Sequence, residues 1–342
     1  MRVPSPSMKI GDFDTEKKVF VIAEIGNNHE GSFAEAKKLV HAAAEAGADA
    51  VKFQTIVPEN LVSADQQDRL QQLKRYALSF PQFQELQKEA TRAGILFLST
   101  PFDLDSVEFL KDLVPAYKVA SGDSNFLDLL RRIAATGKPV MVSTGLSNEA
   151  EKAGLREFFH SAWRSAGHVD PGLGLLHCVT EYPTPDERAG LQYLKALGEM
   201  QDITPGYSDH TLGIEAAVLA VGMGARIIEK HFTLDKNKTT FRDHALSADP
   251  AEFIALVSRI RRAEAFLAPV QQQEAPAVMP AARRSAAARQ DFKVGHKIKE
   301  GDILWLRPGR GFPPESQAQL LGRFLVRPVS KGHLFSQEDF QS

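Results

Sequence analysis

Short apolar runs alternate with segments of helical periodicity along the first 267 residues of the chain. Eight of these runs are short and almost continuously apolar, which is typical of strands buried on both faces of a parallel sheet. They lie at residues 19–25, 50–55, 95–100, 116–121, 139–144, 174–179, 203–208 and 225–232.

A helical pattern follows every predicted strand. Ser32 is a suitable N-cap for the first helix, and Gly47, Gly94 and Gly137 stand where three of the helices end. Successive strand–helix units predict an α/β fold, a (β/α)8 TIM barrel. A doubly wound open sheet is the alternative, since the pattern does not show closure. The predicted helices cover residues 33–46, 81–93, 105–113, 127–135, 147–159, 186–197, 213–221 and 250–267.

The pattern changes after residue 267. Residues 268–284 are rich in Pro, Gln and Ala and indicate a linker. Residues 285–342 contain short runs divided by glycines, which indicates a small, mostly β domain. Residues 295–303 and 332–340 echo each other, because in each a Gly-His pair is followed at the same spacing by an apolar residue and an Asp. The echo is either a pseudo-repeat or two similar surface turns. We therefore predict a barrel domain over residues 1–267, followed by this linker and this small domain.

Composition narrows the class of protein. The chain of 342 residues is 43% apolar and 25% charged, as expected of a globular protein, and its net charge of −2 gives no reason to expect a nucleic acid partner. Its single cysteine, Cys178, excludes an intramolecular disulfide and suits a reducing cytoplasm. Residues 1–8 lack the apolar core of a signal peptide, and no run approaches the ~20 residues of a membrane span. We expect a cytoplasmic protein without a membrane partner.

Two histidines close the last two predicted strands. His210 follows the run at 203–208, and His231 lies near the end of the run at 225–232. Because parallel strand ends share one face of an α/β unit, the two side chains can converge. Two neutral imidazoles supply half of a site for a divalent metal. The alternative is that each histidine is a hydrogen-bonded polar residue at a strand end.

Every predicted strand ends on polar side chains, which is more than a purely structural barrel needs. Lys52 and Lys118 stand there among several hydroxyl groups, and this combination of charge and donors suits a phosphate. The alternative is that Lys52 and Lys118 form barrel salt bridges with Glu24 and Asp123. One lysine can hold both a carboxylate and a substrate, so the interpretations are compatible.

Eight short segments stand at these strand ends: AEIGNNH at 23–29, VKFQT at 51–55, STPF at 99–102, KVAS at 118–121, STG at 143–145, YPTP at 182–185, GYSDH at 206–210 and EKHFT at 229–233. In their content and order they resemble the sialic acid synthase family, which includes N-acetylneuraminate synthase and proteins labelled spore coat polysaccharide biosynthesis protein E. The RPGRG turn at residues 307–311 and the Gly/Asp echo make the C-terminal domain resemble the antifreeze-like SAF domain. The match covers residues 19–342.

The resemblance implies that phosphoenolpyruvate condenses with an N-acylmannosamine-type sugar, giving a nonulosonic acid and phosphate. It implies a divalent metal, usually manganese, on His210 and His231, and general acid–base work by Glu24. The residues that it assigns to phosphoenolpyruvate are Lys52, Thr100, Lys118, Ser121, Ser143, Thr180 and Ser208. Those that it assigns to the sugar are Glu24, Gln54, Asp123, Tyr182 and Asp243.

The resemblance also implies a homodimer with a swapped SAF domain, in which Arg307 reaches the substrate in the partner's barrel. The alternative is that Arg307 pairs with carboxylates of its own domain. Three positions depart from the family pattern. Asp123 stands where Glu is usual, Arg242 where Pro is usual, and Thr180 where Ser or Asn is usual. These departures leave the identity of the sugar open.

Two other functions are compatible with the residues. A metal-dependent aldolase or heptulosonate-type synthase would share the barrel and the metal but would lack the SAF domain. A non-catalytic protein that binds carbohydrate or ice would leave the polar strand ends unexplained. Release of free phosphate from phosphoenolpyruvate, measured with and without a panel of hexosamines and shorter sugars, separates these possibilities, since a pyruvate aldolase releases none.

Overall fold

A computed structural model describes residues 8–269 and 279–341 of the chain. The chain divides into two compact units, Met1–Ala268 and Pro269–Ser342. The strands are β1 Lys9–Ile10, β2 Phe13–Asp14, β3 Phe20–Gly26, β4 Ala50–Thr55, β5 Leu96–Pro101, β6 Tyr117–Val119, β7 Val140–Ser143, β8 Leu173–Cys178, β9 Ile203–Asp209, β10 Ile227–His231, β11 Ser285–Ala288 and β12 Ile303–Leu306. The helices are α1 Phe33–Glu45, α2 Pro58–Leu61, α3 Gln67–Tyr76, α4 Phe80–Arg92, α5 Leu104–Leu110, α6 Leu127–Ala134, α7 Glu149–Ser165, α8 Tyr193–Glu199, α9 Glu215–Gly222, α10 Arg242–Leu246, α11 Pro250–Leu267, α12 Met279–Ala282 and α13 Gln317–Leu320.

The strands β3 to β10 form a nearly closed parallel barrel with helices around it. Their hydrogen-bonded order is β5-β4-β3-β10-β9-β8-β7-β6, so β10 returns to pair with β3. The ends β5 and β6 lie side by side without a ladder between them in the described chain. A doubly wound sheet would instead reverse its strand order in the middle. The TIM-barrel prediction is therefore confirmed.

All eight predicted barrel strands are present, with ends shifted by at most two residues. The predicted helix at 186–197 is wrong in part, because a 3-10 turn at Asp186–Arg188 is separated from α8 by Gly190, whose φ is +62°. The predicted helix at 147–159 is longer in the structure and ends at Ser165. The β1–β2 hairpin and the short helices α2, α3 and α10 were not predicted, since they are too short or too polar to show a period.

The hairpin closes the amino end of the barrel. Met8 and Ile10 are fully buried and pack with inward side chains of the barrel strands, among them Phe20 and Leu98. A side chain at Gly172 would come within 3.0 Å of Met8. With this end filled, only the carboxyl ends of the strands remain open, where side chains of a barrel form its active site.

Side chains of β9 and β10 alternate between the inside of the barrel and the layer below the helices. Asp209 and Lys230 point outward and form a fully buried ion pair, with Lys230 Nζ 3.0 Å from Asp209 Oδ2 and 2.6 Å from Thr211 O. This pair fixes the chain just after β9, so it sets the direction in which His210 leaves the strand.

Lys230→Met is expected to lower the free energy of unfolding by about 3–5 kcal/mol, because Asp209 would then be a buried charge without its partner. Urea unfolding measures the change. Lys195→Met, at an exposed site on α8, is the control and should stay within about 0.5 kcal/mol of wild type. A loss below about 1 kcal/mol in Lys230→Met would contradict the buried-pair interpretation.

The C-terminal unit contains the pseudo-repeat. In one copy His296 Nε2 lies 2.9 Å from Asp302 Oδ2, and in the other His333 Nε2 lies 2.9 Å from Asp339 Oδ2. Each Asp also accepts a backbone N–H at the start of its own 3-10 turn, and the glycine before each histidine has a positive φ. The echo in the sequence thus corresponds to the same His–Asp contact and the same capped 3-10 turn at both places, as both a pseudo-repeat and two similar turns would give. Strands β11 and β12 pair antiparallel over a small apolar core of their own.

Two predictions fall partly outside the described residues. They concern residues 1–7 of the N-terminus and residues 270–278 of the linker. Within the predicted linker, α12 (Met279–Ala282) forms a short helix that the sequence did not predict. No helix in the described ranges is both long and apolar enough to cross a membrane.

Candidate active site

The carboxyl ends of the barrel strands surround a cavity of about 240 Å³. All the predicted site residues of the barrel line this cavity except Asp123. Those that line it are Glu24, Lys52, Gln54, Thr100, Lys118, Ser121, Ser143, Thr180, Tyr182, Ser208, His210, His231 and Asp243. Asp123 lies in the 3-10 turn Ser121–Asp123, where its neighbours Ser121 and Gly122 reach the cavity instead. Arg307 belongs to the other unit, and its contact with a barrel stays a prediction.

Two buried lysines stand on one side of the cavity. Lys52 Nζ lies 2.6 Å from Glu24 Oε2 and donates to Thr100 Oγ1 at 3.0 Å. Lys118 Nζ donates to Ser143 Oγ at 2.7 Å. The predicted salt bridge between Lys52 and Glu24 is therefore present. The cluster places ammonium and hydroxyl groups where several donors could meet one phosphate.

Glu229 is the residue of this cluster that the sequence did not single out. Its carboxylate lies 3.7 Å from Lys52 Nζ and 3.6 Å from Lys118 Nζ, and it accepts from Ser208 Oγ at 2.9 Å. The predicted pairing of Lys118 with Asp123 is wrong, because Lys118 points into the barrel while Asp123 follows a turn beyond the strand. Side chains of a strand alternate with a period of two residues, so Glu229 must face the same side of β10 as His231. This spacing was the signal in the sequence that could have identified Glu229.

The two carboxylates beside Lys52 titrate differently. Burial raises the pKa of Glu24 to about 7, against the opposing charge of Lys52 and with help from Glu229. Burial also raises the pKa of Glu229, but Lys118 and Lys52 together bring it below its ordinary value. Glu24 therefore exchanges a proton near neutral pH, while Glu229 stays ionised and balances the lysines.

The two predicted metal-binding histidines lie side by side in the lining of the same cavity. The ring centroids of His210 and His231 are 5.5 Å apart. His210 Nδ1 lies 2.7 Å from Val179 O, which leaves its Nε2 for another partner, and His231 Nδ1 is buried without a hydrogen bond. Burial lowers the pKa of both imidazoles, so both are neutral at neutral pH. Neutral, partly unsatisfied imidazoles have the form that ligates a metal.

An aromatic and a charged side chain form the outer rim beside the histidines. The centroid of the Tyr182 ring is 4.1 Å from that of the His210 ring. The Arg242 guanidinium lies over the Tyr182 ring, 4.7 Å from its centroid. Arg242 Nε is 3.3 Å from Asp243 Oδ1. Burial raises the pKa of Asp243, and the charge of Arg242 opposes that rise.

A tight turn after β7 completes the wall near the lysines. The backbone N–H of Gly145 donates to Ser121 Oγ at 3.1 Å. A Cβ at Gly145 would lie 2.5 Å from Thr180 Oγ1, so only glycine lets these two hydroxyls converge. Ser121 and Thr180, which are far apart in the sequence, therefore both lie next to Gly145.

Several lining residues could not be found from strand ends alone. Arg69 comes from α3, in the long connection between β4 and β5, and Phe241 comes from the loop after β10. Their only signal was the length of these two connections, because long loops at the carboxyl ends of barrel strands often form part of the site. The other lining residues to which the sequence assigned no role are Asn27, Phe102, Ala120, Gly122, Cys178 and Glu229. Arg242, one of the three departures from the family pattern, also lines the cavity, as expected of a ligand-facing position.

Comparison with known protein families gives two matches. A model of the NeuB family matches residues 39–272, and a model of the SAF domain matches residues 283–341. The first match covers most of the barrel unit, and the second covers most of the C-terminal unit. The SAF match agrees with the small antiparallel domain after the barrel.

Relatives match almost the whole chain, and two of the three described below carry synthase names. An uncharacterized protein of Methanocaldococcus jannaschii is 41% identical and covers 97% of this chain and 98% of its own length. Pseudaminic acid synthase of Campylobacter jejuni is 37% identical, with 98% and 100% covered. N,N'-diacetyllegionaminic acid synthase of the same species is 34% identical, with 94% and 100% covered.

Several solved structures have the same fold as this chain. The structure of N-acetylneuraminic acid synthetase from Leptospira borgpetersenii superposes with a TM-score of 0.73 at 31% identity, covering 80% of this chain and 94% of that one. A truncated 3-deoxy-D-arabino-heptulosonate 7-phosphate synthase from Thermotoga maritima has a TM-score of 0.59 at 14% identity, covering 77% and 93%. At that identity the second likeness concerns the fold alone.

Proposed function

The chain belongs to the NeuB family, and we propose that this enzyme condenses phosphoenolpyruvate with an N-acylmannosamine-type sugar to give a nonulosonic acid and phosphate. The observation that carries the proposal is the arrangement of one cavity. Buried Lys52 and Lys118, with their hydroxyl partners, line the same cavity as two neutral histidines. The lysine and hydroxyl cluster suits the phosphate of phosphoenolpyruvate, and the histidine pair suits the aldehyde of an open-chain sugar.

We propose His210 and His231 as the protein ligands of a divalent metal, manganese in the first place. The unsatisfied Nδ1 of His231 and the free Nε2 of His210 fit this role. Among the described residues no group of three or more His, Cys, Asp or Glu side chains is arranged to hold a metal, so substrate oxygens and water would complete the set. When bound, the metal would act as a Lewis acid on the aldehyde oxygen.

Glu24 has the pKa and the position for the proton transfers. As carbon 3 of phosphoenolpyruvate bonds to the aldehyde carbon, protonated Glu24 donates its proton to the aldehyde oxygen, and carbon 2 becomes cationic. Water then adds to carbon 2, and the Glu24 carboxylate takes up the proton that this water loses. The carbon–oxygen bond to phosphate breaks last. The hydroxyl group on carbon 2 then becomes the keto group, its proton leaves with the phosphate, and Lys52 and Lys118 stabilise the departing phosphate.

The pH dependence tests this role of Glu24. Because the protonated form starts the cycle, kcat/KM is expected to fall as the pH rises through about 7. Glu24→Gln should turn over slowly at all pH values and should lose this limb of the profile. Glu187→Gln, which changes an exposed carboxylate beyond β8, is the control and should keep the wild-type profile. A limb near pH 7 that persists in Glu24→Gln would contradict the assignment.

Phosphate release tests the reaction itself. The enzyme with Mn²⁺ and phosphoenolpyruvate is expected to release inorganic phosphate only when an N-acylated amino sugar is added, and mass spectrometry should find the nine-carbon 2-keto acid. Release with erythrose 4-phosphate but with no amino sugar would support the heptulosonate-type alternative. Asp123, Thr180 and Arg242 are the positions to vary when the preferred sugar is being assigned.

We propose further that the protein is a homodimer in which Arg307 completes the partner's site. A guanidinium keeps its charge and offers a planar fork to a carboxylate or phosphate. The inactive variants His231→Ala and Arg307→Ala are expected to recover roughly a quarter of wild-type activity when their subunits are exchanged, since each mixed dimer would hold one intact site. No recovery after demonstrated exchange would place Arg307 in its own barrel or outside the chemistry.

A further inference from the structure

A second pocket of about 580 Å³ adjoins the active-site cavity on its outer side. Three residues, Arg69, Phe241 and Arg242, line both spaces, so the two are neighbours that share one boundary. Gln72, Tyr76 and Thr240 complete the outer pocket. Both walls come from barrel connections, α3 on one side and the loop after β10 on the other.

The charges of this outer pocket are positive. Arg69 forms no ion pair within the described residues, and its hydrogen bond runs to the neutral side chain of Gln72, at 2.5 Å. Arg242 pairs with Asp243 through Nε at 3.3 Å, while its side chain remains 65% exposed. Asp243 itself lines the inner cavity but not the outer pocket. The six residues around the outer pocket therefore contribute two guanidinium groups and no carboxylate.

The guanidinium of Arg242 is held in place without using all its donors. The ring of Tyr182 lies under it at 4.7 Å, and this ring also contacts His210. Stacking and one carboxylate contact fix the plane of a guanidinium and leave further N–H groups for a ligand. The Tyr76 and Phe241 rings, 5.3 Å apart, connect the α3 wall with the opposite wall. The pocket is thus a defined space lined by two arginines.

We propose that Arg69 and Arg242 bind an anionic group, a phosphate or a carboxylate, at the end of the amino sugar farthest from its aldehyde. The inference rests on the proposed function, which places the aldehyde at the histidines. A sugar chain that begins there and leads outward passes Tyr182 and enters the outer pocket. Paired guanidiniums bind phosphate and carboxylate through bidentate hydrogen bonds, so the same pocket accepts either group.

Steady-state kinetics with three substrates test the proposal. They are N-acetylmannosamine, its 6-phosphate and the corresponding N-acetylmannosaminuronic acid. The wild-type enzyme is expected to have the higher kcat/KM for the phosphate or the carboxylate, and the better of these two identifies the anion. Arg69→Gln and Arg242→Gln should each lower the ratio of kcat/KM for that substrate to kcat/KM for N-acetylmannosamine roughly tenfold or more. Arg75→Gln, which changes an exposed arginine of α3 outside both pockets, is the control.

The outcomes separate this proposal from the proposed function. Phosphate release with N-acetylmannosamine as the best substrate, and equal losses for charged and neutral sugars in both variants, would overturn the anion site and leave the reaction intact. A rise in KM for phosphoenolpyruvate alone would also overturn it, since the arginines would then attract the other substrate. Release with none of the sugars would count against the proposed function.

Discussion

His210→Ala and His231→Ala are each expected to remove the bound metal and to lower kcat by roughly 100-fold or more, while the barrel remains folded. Loss of a Lewis acid removes several kcal/mol of transition-state stabilisation, and each 1.36 kcal/mol is about tenfold in rate. Both side chains stand at the open end of the barrel, outside its apolar cores, so their loss should have little effect on folding. Elemental analysis after dialysis against Mn²⁺ measures the bound metal, and thermal unfolding checks the fold.

His177→Asn provides a matched control for these variants. His177 is also a buried imidazole near a strand end, but its Nε2 contacts Ala189 O at 2.8 Å and it does not line the cavity. This variant should bind wild-type amounts of metal. Because burial holds the pKa of His210 and His231 below the ordinary value, metal binding by the wild type should weaken only below about pH 6.5. Wild-type metal content in both alanine variants would overturn the assignment.

Lys52→Met and Lys118→Met are expected to raise KM for phosphoenolpyruvate roughly 10- to 100-fold. A hydrogen bond to a charged group contributes about 1.5–3 kcal/mol, and each variant also leaves Glu229 with only one neighbouring ammonium group. Varying phosphoenolpyruvate at saturating sugar measures KM, and calorimetric titration with phosphoenolpyruvate alone measures binding without turnover.

Lys152→Met is the control for this pair. Lys152 is a buried lysine on α7 that pairs with Glu149 at 2.7 Å and lies outside the cavity. It should change the stability of the protein without changing KM. If the two cavity variants keep wild-type KM and kcat, their lysines are purely structural salt-bridge partners. If both lose binding of phosphoenolpyruvate while the control keeps it, the phosphate assignment is supported.

Local pattern was enough to predict the layout of this molecule. Apolar runs and capped helical segments determine where strands and helices form, because burial and capping act over a few residues. Placing polar residues at strand ends then predicted most of the cavity, since a barrel brings all carboxyl ends of its strands together. Even the echo in the small domain was visible as a spacing of Gly, His and Asp.

Tertiary structure alone decided which of these groups meet. Lys118 pairs with Glu229 and not with Asp123. Both side chains of this pair point into the barrel, and that shared direction brings them together although Asp123 is nearer to Lys118 in the sequence. Arg69 enters the site from α3, far from any strand end, because the β4–β5 connection folds back over the barrel mouth. The pKa of Glu24 likewise depends on burial beside Lys52 and Glu229, which come from two other strands. Charges interact through space, so only the packed structure sets their neighbours and their ionisation.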